Sequence, residues 1–275
     1  MDDVYKQTFS KRYGFQPENK EIVVREDAPN KFREALIIIA YKTGGFNPSV
    51  LRKIICNVLL CLPDDGNWSE YPNIDGEVKQ LIMNCDWYKV YEVAESIYNY
   101  FLTCAIRGTL PSRPALFEKE LNEVFLEQGI GWKMENGNIV MRGSESYEFA
   151  VEHAKTAMNE KSYLTANSEI EEAIKDISRR PEPDLTGAIT HSMAALECVA
   201  REVSNEPNET LGSIMKNHRD KHGLPKTIEE AVTKLWGFSS EKARHIREGE
   251  QPKHVDAELV VGLSALITAY LCRNN

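Results

Sequence analysis

The 275-residue chain lacks a long uninterrupted apolar run. Its best candidate, Leu259 to Leu271, is shorter than the roughly 20 apolar residues a bilayer requires, and Asp256 and Glu258 stand at its start. A buried core helix is therefore expected there, with no membrane partner. A leader pattern is also missing: Met1-Asp2-Asp3 opens acidic and the first apolar block comes only near Leu36, so a cytoplasmic location is expected. The six cysteines lack zinc-site spacing and are scattered through apolar helical patterns. That excludes a secreted disulfide framework and leaves reduced, structural thiols. Walker loop, dinucleotide fingerprint and nucleophile elbow are all absent, and no cofactor is expected. Basic charge is scarce as well: 33 Lys and Arg stand against 42 Asp and Glu, a formal net charge of −9. Indiscriminate nucleic-acid binding is disfavoured, so any RNA contact must rest on a local cluster.

What remains is an ordinary globular composition, 42% hydrophobic and 27% charged, at a length of about two domains. Helical periodicity dominates. Over 49–62 the pairs Val50/Leu51, Ile54/Ile55 and Val58/Leu59, then Leu62, recur every four residues behind Asn47-Pro48, a cap with proline in the first turn. Trp87, Val90, Tyr91, Ala94, Ile97, Tyr98 and Phe101 form a second stripe. Pro63-Asp64-Asp65-Gly66-Asn67 between them is a turn-rich loop. Further helices are predicted near 28–42, 76–84, 114–128, 145–160 and 166–179. Asn136-Gly137 between two short apolar stretches predicts one β-hairpin near 131–142. Later come helices opened by Asp184 and Thr210, one opened by a Thr227–Glu230 capping box and closed by Gly237, and a last apolar helix over 255–272. The fold class is mainly α, in two domains: 1–143, helical and ending in the hairpin, and 144–275, an antiparallel bundle.

Three features could carry chemistry. Lys242 to His254 gathers Arg244, His245, Arg247, Lys253 and His254 just before the last helix. Arginines there could hold a phosphodiester and a histidine could move a proton. The competing reading is a solvated loop that caps helix ends, since Glu248 and Glu250 dilute the charge. Glu197 lies beside an apolar stripe and needs a partner: Arg201 one turn on, or Arg244 or His245 across the bundle. His218 and His222 stand one turn apart, a spacing seen in metal sites, but Gly223-Leu224-Pro225 follows at once and no metal is expected.

Phe9-Ser10-Lys11-Arg12-Tyr13-Gly14 and Trp87-Tyr88-Lys89-Val90-Tyr91-Glu92 resemble the N-terminal domain of AbiJ-type abortive-infection proteins. Ile189 to Glu197 resembles the acidic-residue helix of the HEPN domains associated with them. Leu235 to His245 resembles the loop that ends in an Arg-His pair, and Ala257 to Leu271 the last helix. The resemblance implies antiphage defence and metal-independent RNA cleavage across a symmetric homodimer, with a phage or partner protein as trigger. Arg244 and His245 take the motif position, Arg247 and His254 are second candidates, and Glu197 is the acidic residue. The sequence departs from the family pattern, because the family's histidine follows its arginine by four to six residues whereas His245 is adjacent to Arg244. The alternative is a non-catalytic HEPN-like module that dimerises or binds a ligand or protein.

Overall fold

A computed structural model describes residues 21–44, 46–108, 112–243 and 251–274. The chain divides into two compact units, Met1–Arg142 and Gly143–Asn275. Among the described residues twelve α-helices, one short π-helical turn (Glu70–Ile74) and a single two-stranded hairpin make up the regular structure, a mainly α fold.

In the first unit, α1 (Asn30–Gly44), α2 (Pro48–Leu59), α3 (Asp75–Asn84), α4 (Trp87–Ile106) and α5 (Arg113–Gln128) enclose an aromatic core. Phe32, Tyr91 and Phe125 have ring centroids 5.1 to 5.9 Å apart, and Trp132 stands 6.0 Å from Tyr91. Asn47 caps α2 through its side chain at the Val50 N–H (3.1 Å), with Pro48 in the first turn. That helix stops earlier than the apolar stripe predicts. Leu60 is left-handed (φ 54°), so Leu62 leaves the helix and faces solvent. Arg33 is buried with its charge spread over backbone carbonyls: Nε reaches Ala28 (2.7 Å), and Nη1 reaches Ile82 (2.5 Å) and Cys85 (2.9 Å), closing the end of α3.

β1 (Trp132–Glu135) and β2 (Asn138–Met141) pair antiparallel through Asn136 and Gly137, both at positive φ. A lone hairpin is marginal in water. Here side chains satisfy its backbone. The Asn122 amide of α5 donates to Met134 O (2.8 Å) and accepts from Met134 N (2.7 Å), while Glu95 of α4 accepts from Ile139 N (2.7 Å). A Cβ on Gly137 would stand 2.3 Å from the Tyr98 ring, so glycine serves the turn and its packing together.

The second unit is built on α6 (Glu145–Glu160), α7 (Leu164–Ser178), α8 (Leu185–Ser204) and α12 (His254–Asn274), with α9 (Leu211–Asn217), α10 (Arg219–His222) and α11 (Lys226–Ala243) on one side. Its core consists of small and aliphatic side chains such as Ala154, Ala188, Ala195, Leu196, Val260 and Ala265. Caps expected at Asp184 and Thr210 are formed, to Gly187 N (2.7 Å) and Ser213 N (3.3 Å). Two expectations for α11 are corrected. It opens at Lys226 after Pro225, whose carbonyl accepts from Ile228 and Glu229 N, so Thr227 lies inside the first turn and not at the cap, and the Glu230 carboxylate faces Lys226 (3.9 Å). Nor does Gly237 end it. A glycine inside a helix costs about 1 kcal/mol, and α11 continues because Leu235 and Ser239 on either side are buried.

The final helix is also longer than its apolar run suggested. At 21 residues and a mean hydropathy of 1.7 over its best window, α12 passes the length and composition test for a membrane span. Within the unit it packs against α6 and α8 and buries 56% of that window, as a core helix does.

Candidate functional site

The Arg/His-rich segment joins α11 to α12. Arg244, His245 and Arg247 lie outside the described residues, and so does Phe9–Gly14. The described flanks of the segment are tied to each other. Lys242 Nζ stands 3.5 Å from Asp256 Oδ2, and the same carboxylate accepts the Lys253 N–H (3.0 Å), capping the first turn of α12. Lys242 also lies over the Phe238 ring at 5.7 Å. His254 begins α12 with Nδ1 4.0 Å from Glu258, and Glu258 accepts from Ser144 N (3.3 Å) at the cap of α6. The junction therefore brings together a histidine, two carboxylates and a lysine at one end of the bundle.

Glu197 meets the nearer of its two expected partners. Oε1 lies 2.7 Å from Arg201 Nη2, and Oε2 accepts from Leu211 N (2.9 Å), the first residue of α9. Arg201 in turn donates from Nε to Glu209 O (2.7 Å). Charge-assisted bonds of this kind fasten α9 to α8.

The paired histidines do not converge. His222 is buried, and its Nδ1 accepts from Leu224 N (3.1 Å). Burial pushes its imidazole below the ordinary value. His218 Nδ1 lies 3.5 Å from Glu206 instead. Among the described residues no group of three or more His, Cys, Asp or Glu side chains could hold a metal ion.

One constellation escaped the sequence reading. His191 of α8 is bracketed by two acids of α7, with Nδ1 2.7 Å from Glu169 Oε2 and Nε2 3.7 Å from Asp176 Oδ2. Asp176 is buried, which raises its carboxyl above the ordinary range, while Arg179 at 2.9 Å opposes the shift. A seven-residue interval puts Glu169 and Asp176 on one face of α7, a signal present in the sequence. Its histidine comes from another helix, which no spacing rule reveals. With both ring nitrogens facing carboxylates, this group clamps α7 to α8.

Residues 7–157 match the family model of AbiJ N-terminal domain 4, more than half of the chain. The chain belongs to that family. Neither the curated proteins nor the solved structures provide a match. The AbiJ match covers the described helices of the first unit, the hairpin and most of α6, so it runs past Arg142 into the second unit. Membership gives the AbiJ chain an abortive-infection, antiphage-defence context. The rest of the bundle, including Glu197, His254 and the α11–α12 junction, lies beyond the match.

Proposed function

We propose that the chain is an abortive-infection effector whose C-terminal bundle is a HEPN-type endoribonuclease. The observation that carries this reading is the α11–α12 junction, where the densest Arg/His segment of the sequence is strung between flanks held by the Lys242–Asp256 pair, with His254 at the helix start. In the proposed reaction the ribose 2′-hydroxyl attacks the adjacent phosphorus and the bond to the 5′-oxygen breaks. Products end in a 2′,3′-cyclic phosphate and a 5′-hydroxyl. His245 moves the proton between the attacking and leaving oxygens, and Arg244 stabilises the charge that develops on the phosphate. Arg247 and His254 are the second pair. Glu197 acts by positioning, since its carboxylate holds α9 to α8.

The proposal includes a homodimer through α12. Val255, Leu259, Leu263, Leu266 and Tyr270 are exposed along one side of this helix, while its other side is in the core. A helix apolar all round is normally buried all round, and a second copy covers the open stripe without introducing charge. The second reading, a non-catalytic binding module in the cytoplasm, draws on the net charge of −9 and on the structural partners of Glu197.

The test is cleavage of labelled RNA by wild type, Arg244→Ala and His245→Ala. Loss of at least about a hundredfold in both variants, with fragments ending in cyclic phosphate, is expected. Equal rates for all three proteins in a folded dimer would favour the binding module.

A further inference from the structure

Between α2 and α3 the polarity of the chain is turned inside out. Leu60, Leu62, Trp68 and Tyr71 are 91, 92, 83 and 64% exposed. The charges beneath them are covered instead, the Arg52 and Glu77 side chains keeping only 16 and 10% exposure. Glu77 accepts from Asp64 N (2.8 Å), Asn67 Nδ2 (3.1 Å) and Arg52 Nη1 (2.8 Å). Arg52 also donates to the Asp64 and Asn67 carbonyls at 3.3 and 3.2 Å. Burial raises the Glu77 carboxyl, but these donors outweigh it and hold the group below the ordinary range. Two further bonds, Gly66 N to Asp64 Oδ1 (2.8 Å) and Asn67 N to Asp64 O (3.0 Å), tighten the turn.

A loop fastened from within cannot fold its apolar side chains back onto the protein. It presents them in advance, which lowers the ordering cost of an encounter. A tryptophan and a tyrosine displayed in this way are the residue types that dominate binding energy at interfaces.

The same unit contains a receptacle. A cleft of about 310 Å³ opens between the start of α2 and the end of α4, lined by Phe46, Tyr100, Phe101, Val50, Cys104 and Arg113 among others. Phe46 stacks on Phe101 at 4.9 Å and meets Tyr100 edge-on at 5.1 Å, making aromatic walls. Small-molecule sites run from roughly 300 to 1,000 Å³, so this cleft suits one large aromatic group better than an extended ligand. Charge complements shape. Residues 60–71 contain Asp64, Asp65 and Glu70 with no base, and residues 99–113 contain Arg107 and Arg113 with no acid. The cleft takes Val50 from the first turn of α2, while the loop leaves its last turn. The loop runs back along that helix, Glu70 accepting from Ser49 N (3.0 Å) and Oγ (2.7 Å), yet Trp68 stays exposed and leaves the cleft of its own copy open.

We infer that the Leu60–Tyr71 loop of one copy seats Trp68 in the Phe46/Tyr100/Phe101 cleft of a second copy, with Arg113 facing its acidic residues. This contact is separate from the α12 stripe and does not depend on ribonuclease activity.

Sedimentation velocity of the full chain across a concentration series tests it. Trp68→Ala, at an exposed position, should leave the melting temperature unchanged and weaken self-association about thirtyfold. Arg113→Glu should weaken it about fivefold, more at low salt than at high. Adding Asp65→Arg to Arg113→Glu should restore most of the loss, because the reversed pair attracts again. The proposal is overturned if the wild type stays monomeric up to roughly 100 µM, or if it associates equally well without Trp68. It is also overturned if Trp68→Ala dissociates the protein but the charge swap recovers nothing, since the indole would then seat elsewhere.

Discussion

The two units solve the packing problem with different side chains. The first fills its interior with rings: Phe32, Phe101, Phe117 and Phe125 are all fully buried. In the second, the only described phenylalanines are Phe149, exposed on α6, and the half-buried Phe238, and alanines recur down the inner faces of α6, α7, α8 and α12. Large rings tolerate irregular elements such as a hairpin and short helices, because each ring bridges several of them. Small residues bring helix axes close and reward straight, parallel packing, and the long α8–α12 contact is the result. One unit is therefore sensitive to what is removed and the other to what is added.

The largest expected effect follows from the rings. Phe125→Ala should destabilise the first unit by about 3–5 kcal/mol, whereas Ala188→Gly in the second should cost only about 1 kcal/mol. Scanning calorimetry with transitions assigned to each unit checks this, and equal losses would break the contrast. Next in size is overpacking. Ala188→Leu adds three carbons where α8 has no free space and should cost about 1–3 kcal/mol, felt in the second unit alone.

The smallest effect is on pH dependence. His222 has a depressed folded pKa, so the unfolded chain takes up the proton first as pH falls through about 6.5. Its contribution is present above that value and is lost on acidification. Buried Asp176, raised in the fold, works the opposite way at lower pH, because protonation relieves its burial. Glu77 in the first unit is depressed, and its stabilisation is lost only below the ordinary carboxylate range. Melting between pH 7 and 5.5 should thus shift the second unit more than the first, by about 2 °C, and His222→Asn should abolish the difference.

Local grammar was well written in the sequence. Asn47-Pro48, Asp184 and Thr210 announce their helices, and Asn136-Gly137 announces the hairpin, because each effect is settled within four residues. The mainly α class follows from the same signals. Readings that depend on distant partners were not legible. Leu62 fits the α2 stripe by number, yet one left-handed residue, Leu60, turns it outward. Gly237 resembles a stop, but the buried neighbours that carry α11 through it come from packing. For the site, the sequence supplied Glu197 with Arg201 but not Leu211 N, 14 residues away, and it placed His191 on a helix without its acids. Arg244, His245 and Arg247 were legible as a charged cluster, and their roles belong to the proposal.

The Lys242–Asp256 pair also makes this end of the bundle sensitive to salt. Two posts 3.5 Å apart, one near the end of α11 and one in the first turn of α12, hold the two helix ends to each other. The pair is partly exposed, so dissolved ions screen it, and the grip of α11 on the start of α12 weakens as ionic strength rises.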